Sequence, residues 1–410
     1  MKHIKLISSL LVIAAVVLSA CGTPFTPPTD PLGVVTIPSG EPIHTAYWGV
    51  LSGADATLGE DSKRGVEIQI DDHGGKLLGR DIRLTTEDGL CTPDGGANAG
   101  QKLAADTTLV GLVGSSCSDE TVGGIKAITD AGLTTISPSN TRPALTDPNR
   151  GPEYAGYLRT AHSDAFQGKA VAEFVYNELK LTKAATIHDG SAYAEALQQV
   201  FADNFKQLGG TITIQEAVSK GQTDMKPVLT RVASTNPEVI YYPIFVAEGA
   251  FITAQSAEVP GLEKVVKIGS DGMFSGDMLK GAGPAAVGMY LSSPDFSAFQ
   301  AGYQDFLKKH EAKYGGKPLS VFHAHAYDAT GILFAALEKV AVTGPDGTIY
   351  VPRKALRDAI YATKDYKGLT GTLSCGASGD CGAPIIAVYQ VSADNVSKLE
   401  IPTTPIWPKR

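Results

Sequence analysis

The chain has 410 residues, with 43 acidic against 35 basic side chains, a formal charge of −8, 43% apolar content, 45 Gly, 24 Pro and five Cys. That length suits about two to three domains, each large enough for its own core. The acidic balance contains no block of consecutive Lys or Arg to neutralise a phosphate backbone, so nucleic acid is excluded as a partner.

Lys2 and Lys5 precede an apolar run over residues 6–18. It is too short and too near the start for a comfortable spanning helix and reads as an export signal over residues 1–20. It ends in Leu18-Ser19-Ala20-Cys21-Gly22, which resembles the bacterial lipobox. Cleavage before Cys21 would make that residue the lipidated first residue of the mature chain; ordinary secretory cleavage near Ala20 is the alternative. The predicted location is therefore outside the cytoplasm, anchored by lipid and facing the periplasm or the cell exterior. Pro24, Pro27, Pro28, Pro31, Pro38 and Pro42 follow. Their density forbids helix and disfavours strand pairing, so residues 21–42 read as a tether.

From residue 43 strand-like and helical patterns alternate: strand 44–51, helix 60–72, strand 80–86, helix 96–105, strand 109–113, helix 120–130 and strand 133–137. The first helix should stop at Gly74-Gly75. Such a βαβαβ series predicts a parallel sheet with helices on both faces. A second series follows: helix 165–180, strand 184–188, helix 193–208, strand 211–217, helix 225–233, strand 239–245, helix 250–258 and strand 265–268. The remainder, strand 287–292, helices 298–314 and 326–340 and strand 385–391, is too much for the second unit alone, and part of it should return to the first.

With Cys21 set aside for lipid, Cys91, Cys117, Cys375 and Cys381 remain, and export makes an even number read as two disulfides. Three pairings are open; neighbourhood in sequence favours Cys375 with Cys381 and leaves Cys91 with Cys117. No C-x-x-C pair occurs, which argues against zinc. No metal or cofactor is expected.

Several segments together resemble the leucine/isoleucine/valine-binding family, the type I periplasmic binding proteins of branched-chain amino-acid ABC transporters. They are Tyr47-Trp48-Gly49-Val50-Leu51-Ser52-Gly53, Asp88-Gly89-Leu90-Cys91-Thr92-Pro93, Gly114-Ser115-Ser116-Cys117-Ser118, Ser137-Pro138-Ser139-Asn140-Thr141, His188-Asp189 with Tyr193, and Ile240-Tyr241-Tyr242. The resemblance runs from about residue 43 to the C-terminus. It implies an α/β fold of two doubly wound Rossmann-like lobes joined by a three-strand hinge, with ligand in the cleft between them. The expected N-terminal lobe is residues 43–160 plus about 294–370, and the C-terminal lobe residues 161–293 plus about 371–410. The resemblance also implies the Cys91–Cys117 bridge; Cys375 with Cys381 rests on the sequence alone.

A free amino acid needs donors for its carboxylate and an anion for its ammonium. Ser118 lies between a predicted strand and a helix, where hydroxyl and helical N–H groups point at an anion. By resemblance it binds the ligand carboxylate, Ser139 offers its backbone carbonyl to the ammonium, and Thr141 bonds the ligand with hydroxyl and backbone. Asp271, in Gly269-Ser270-Asp271-Gly272, matches the acidic partner of the ammonium and is expected to face solvent in an open cleft. Tyr193, Phe245 and Leu58 match positions that line the cleft, and they suggest an aliphatic or aromatic ligand side chain. Asn140 and Arg142 depart from the family's small apolar residues beside the carboxylate site. His323 and His325, two apart, would share one face if they lay on a strand.

The resemblance implies a monomeric binding protein that delivers a neutral, in particular branched-chain, amino acid to ABC permease subunits. A sensor subunit of the same fold, and amide, urea or aromatic-acid ligands, are the alternatives. An exported hydrolase is disfavoured, because the chain has no G-x-S-x-G elbow and no H-E-x-x-H helix.

Overall fold

The structure, a computed structural model, describes residues 25–408. The expected signal peptide and Cys21 lie outside those residues. Two six-stranded sheets carry the fold. In the first, the strands run in the order Lys76–Leu77, Arg80–Asp88, Ile43–Gly49, Leu109–Gly114, Thr135–Ser137 and Tyr157–Arg159. All pairs are parallel except the Lys76–Leu77 hairpin edge. The Ile43–Gly49 strand is buried along its whole length, as a central parallel strand covered on both faces must be.

The second sheet has the order Ile386–Gln390, Tyr290–Pro294, Val266–Gly269, Val239–Tyr241, Lys183–His188 and Thr211–Ala217. Its named strands pair in parallel except at the edge, where Ile386–Gln390 runs antiparallel to Tyr290–Pro294. Each sheet is flanked by helices, giving two doubly wound lobes. The chain crosses between them at residues 160–163, 295–301 and 382–385. These crossings run against one another: the Asp295 N–H donates to Ile385 O at 3.0 Å, and a Cβ on Gly382 would stand 2.2 Å from Thr160 O.

Four expectations change. Residues 34–37 are not free tether: Val34–Ile37 pairs antiparallel with Ile349–Pro352, and Val35 and Ile37 enter the first lobe's core. The β-branched run between Pro31 and Pro38 outweighs the flanking prolines. Asp30 reinforces the docking by accepting the Lys354 and Ala355 N–H groups at 2.9 and 3.1 Å, at the start of helix Arg353–Tyr361. The return to the second lobe comes after residue 371 rather than at it. Thr372–Leu373 pairs with Tyr366–Lys367, and Cys375 and Cys381 pack into the first lobe's core. Third, the strand expected over 239–245 ends at Tyr241, so that Phe245 becomes the N-cap of helix Val246–Ser256. Fourth, the helix expected to reach residue 180 is regular only over Asp164–Glu173 and continues as a π-turn, Phe174–Glu178.

Candidate functional site

In open α/β sheets the loops beyond the carboxyl ends of the strands form the binding crevice. Here both sheets aim those loops at each other. From the first lobe, residues 115–117 follow strand Leu109–Gly114 and lead into helix Ser118–Asp130. The turn is held by Glu120, which is fully buried and accepts the N–H groups of Cys91, Ser116 and Cys117 at 2.9, 3.0 and 2.9 Å. This is the reciprocal half of a capping box. It leaves the N–H groups of Ser118 and Asp119 without an acceptor among the described residues. The Cys91–Cys117 disulfide ties this turn to the start of helix Pro93–Ala105. The two helices then touch through glycines, where a Cβ on Gly96 would lie 2.2 Å from Glu120 O.

Ser139 and Thr141 follow strand Thr135–Ser137. The Ser139 hydroxyl donates to Ser116 O at 2.7 Å, joining the two loops. Asn140 is turned inward and fully buried: its Oδ1 accepts from Thr121 Oγ1 at 2.6 Å and its Nδ2 donates to Ser115 O at 3.1 Å. It therefore stitches the loops together instead of facing a ligand. Arg142 is half-buried; its N–H donates to Ser118 Oγ at 3.4 Å and its carbonyl accepts from Arg159 at 2.9 Å. Arg159 is wholly buried and holds this loop from below, donating to Asn140 O, Arg142 O and Thr146 Oγ1 and pairing with Asp380 at 2.5 Å.

From the second lobe, Asp271 opens a 3-10 turn after strand Val266–Gly269. The expectation that it faces solvent is corrected, since it is 2% exposed. Its Oδ1 accepts from Gln167 Nε2 and Tyr193 OH, both at 2.8 Å and both on helices of the same lobe. Tyr193 OH is also 2.6 Å from Ser270 Oγ, and its ring lies 5.2 Å from that of Phe245. Gly272 completes this wall: a Cβ there would lie 2.8 Å from Ile244 O and 3.2 Å from the Tyr193 ring.

These residues enclose a narrow cavity of about 10 Å³ between the lobes. Leu58, Ser116, Cys117, Ser118 and Ser139 line it from the first lobe, Tyr193, Phe245, Asp271 and Gly272 from the second, with Phe322 alongside. Six of the seven residues expected at a ligand site are thus brought together. The seventh, Thr141, is buried and is not part of that wall. A larger depression of about 460 Å³ edged by Glu60, Lys63, Glu67 and Lys313 belongs to one lobe and lies away from the cleft.

The arrangement sets hydroxyl and N–H donors at the start of one helix opposite a buried carboxylate, with apolar walls between. Chemically this suits a small molecule with an anionic end, a cationic end and an apolar body. His323 and His325 are not on a strand: they open helix His323–Val340, where two-residue spacing turns them to different sides. His323 Nδ1 is 3.1 Å from Asp61 Oδ2, which also accepts the Phe322 N–H at 3.0 Å, so this pair fixes Phe322 beside the cavity.

The sequence reading missed Gln167, Ser116, Glu120 and Phe322. Gln167 and Glu120 carry the signal that singled out Ser118, a polar side chain in the first turn of a helix entered from a strand or crossing. Phe322 follows no strand and carries no such signal.

Residues 42–395 match a family described as periplasmic binding protein. Among curated relatives, a Leu/Ile/Val-binding protein homologue of Brucella melitensis is 25% identical over 354 residues, covering 85% of this chain and 91% of its own. The leucine-specific-binding protein of Salmonella typhimurium is 26% identical over 362 residues, covering 87% and 92%. Among solved structures, a leucine-binding protein from Thermotoga maritima superposes with a TM-score of 0.76 at 22% identity, covering 86% of this chain and 96% of that one. A solute-binding protein of R. palustris in complex with benzoate gives 0.74 at 22% identity, covering 86% and 94%.

Proposed function

The chain belongs to the periplasmic binding protein family, and from that premise we propose that it captures a small neutral amino acid, foremost a branched-chain one, between its lobes. It then delivers the ligand to the permease of an ABC transporter. The observation that carries this reading is the opposition, across one closed cavity, of Ser118 and its helix start to Asp271. The ligand carboxylate would bond the Ser118 hydroxyl and the N–H groups of Ser118 and Asp119, where a helix N-terminus favours negative charge. Its ammonium would lie against Asp271, and its side chain against Leu58, Phe245 and Phe322. No covalent chemistry is asked of these groups, and the protein acts as a receptor rather than an enzyme.

The mechanism is conditional closure. Asp271 closed away from water without a cation is costly, and an ammonium that pairs with it lowers the free energy of the closed state. Both lobes contribute to the site, so only a ligand that touches both gains from closing. We further propose that the protein works outside the cytoplasm, held by lipid at Cys21.

A thermal-shift screen of the chain from residue 25 onward tests the ligand class. Its arms are the neutral amino acids, simple amides and urea, and aromatic acids. A bound ligand at 100 times its dissociation constant adds about 2.7 kcal/mol of stability. Stabilisation by branched-chain amino acids supports the reading; stabilisation by aromatic acids alone would move the assignment to a carboxylate lacking an amine.

A further inference from the structure

Residues 25–37 are strapped to the first lobe at their start, middle and end. At the end, Val34–Ile37 pairs with Ile349–Pro352. In the middle, Asp30 accepts the N–H groups of Leu32, Lys354 and Ala355 at 2.8, 2.9 and 3.1 Å, and Gly33 O accepts the Arg353 N–H at 3.0 Å. A Cβ on Gly132 would stand 2.5 Å from Leu32 O, so this stretch lies directly on the lobe. At the start, the Phe25 ring is 5.7 Å from that of Tyr350, and a Cβ on Gly344 would stand 3.2 Å from the Phe25 ring.

These contacts gather at the amino ends of the first sheet's parallel strands. Arg353 donates to Ala131 O and Thr107 O, and Arg357 to Leu133 O, all just ahead of strands Leu109–Gly114 and Thr135–Ser137. Arg80, the first residue of strand Arg80–Asp88, donates to Gly347 O at 2.6 Å. The ligand loops follow the carboxyl ends of the same strands, about 20 Å away along Leu109–Gly114. Phe25 and Val342 are each 38% exposed, and Pro27, Thr343 and Pro345 are exposed with them. Val342 stands opposite Tyr350 in the strand register, so both large apolar residues adjoin that ring. Asp346 is the one charged residue in the hairpin 342–350.

We propose that this end of the first lobe, the hairpin 342–350 with Phe25 seated on it, is a membrane-apposed face that rests on the bilayer carrying the Cys21 anchor, with the cleft turned away. The inference rests on the lipid-anchor reading given above. Four peptide steps separate Cys21 from Phe25, at most about 14 Å even when fully extended. A free tether over residues 21–42 would reach about 75 Å and would leave the lobe unoriented. Because the strap fixes Phe25 on the lobe, the short link holds that end of the lobe at the headgroups. Exposed Phe, Val and Pro side chains suit the boundary between headgroups and acyl chains. The hairpin lacks a basic cluster, so the contact draws little from anionic lipid. The first lobe is then the one held, and the second is the one that swings as the cleft opens.

The test is energy transfer on vesicles. Full-length protein carrying its own lipid is reconstituted into phosphatidylcholine vesicles with an acceptor dye on the headgroups. A donor dye is placed at Thr343→Cys on the hairpin, or at Lys264→Cys, which is exposed just ahead of strand Val266–Gly269 in the second lobe. Thr343→Cys should give strong transfer and Lys264→Cys little. Inserting a flexible Gly/Ser segment of about twelve residues between Pro24 and Phe25 adds a reach of about 20 Å and should shrink that difference. Equal transfer from the two positions, or a difference that survives the insertion undiminished, overturns the apposed face and leaves the anchor reading standing. Protein that carries no lipid on Cys21 by mass spectrometry, or that does not float with the vesicles, overturns the anchor reading and the apposed face together.

Discussion

Asp119 of the first lobe accepts the backbone N–H of Ala192, the first residue of a second-lobe helix, at 3.2 and 3.1 Å from its two carboxylate oxygens. Asp55 does the same to Ala247, near the start of helix Val246–Ser256, at 3.3 Å. Closure thus sets two first-lobe carboxylates on two second-lobe helix N-termini, where negative charge is favoured. Lys220 crosses in the other direction, donating to Cys91 O with its ammonium 5.5 Å from the Phe245 ring. These contacts form at the mouth of the cleft and exist only when the lobes meet.

Asp119→Ala should therefore shift the protein toward the open form. A partly buried carboxylate at a helix N-terminus contributes about 1 to 2 kcal/mol, so affinity should fall about fivefold to thirtyfold, mostly through faster release. Fluorescence transfer between labels on the two lobes would show the shift directly. An unchanged lobe distance and dissociation rate would mean that the contact forms without holding the closed state.

Arg159 and the second disulfide predict a remote effect on the site. The Arg159 N–H donates to Gly379 O and the Cys381 N–H to Arg159 O, both at 2.9 Å, so the loop closed by Cys375–Cys381 clasps the strand that carries Arg159. That strand supports the loop of Ser139 and Thr141. Replacing both cysteines by Ser should cost about 2.4 kcal/mol of stability on the loop-entropy model. It should also weaken ligand binding, read by calorimetry at a temperature where the variant is folded. Loss of stability with fully retained affinity would separate the clasp from the site. Non-reducing peptide mapping should recover Cys91 with Cys117 and Cys375 with Cys381.

His325 sets a pH dependence. Burial holds its imidazole well below the usual range, with His162 and His323 adding to the effect, and its Nδ1 has no hydrogen-bond partner among the described residues. In the unfolded chain the ring protonates near about 6.5. Below that pH the unfolded state binds the extra proton, so stability falls as pH is lowered, and above it this contribution is flat. The slope is at most about 1.4 kcal/mol per pH unit. His325→Phe keeps a ring between Phe299 and Phe322 and should remove this slope between about pH 5 and 6.5 in thermal unfolding. An identical slope in the variant would place the titration elsewhere, His162 being next in line.

The proposed lipid anchor predicts that Cys21→Ser moves the protein from the membrane to the soluble fraction on cell fractionation. A variant that stays with the membrane would show that something other than Cys21 holds it.

Much of the fold was legible because alternating strands and helices leave separate periodicities in the sequence, and because Ser118, Ser139 and Asp271 all lie just beyond the carboxyl ends of parallel strands. Residue-level orientation was not. Asn140 and Arg142 look like ligand-facing departures in sequence, but their contacts are made with residues 115, 118, 121 and 159, up to 25 positions away. Val34–Ile37 was masked by its prolines, since its partner strand lies more than three hundred residues onward. Asp271 was expected in solvent because an isolated turn exposes its carboxylate; Gln167 and Tyr193, from two helices of the same lobe, fold over it instead.

Calorimetric titration of the wild-type protein and of Asp271→Asn with the amino acid that stabilises it best tests the central claim most directly. The Asn variant keeps an Oδ1 for Gln167 and Tyr193, so the cavity wall should persist while the charge is lost. Removing the partner of a desolvated ammonium costs about 2 to 5 kcal/mol, so the account predicts single-site binding weakened at least about tenfold. Undiminished affinity in Asp271→Asn would contradict it, because the ligand would then be held without a countercharge from the second lobe.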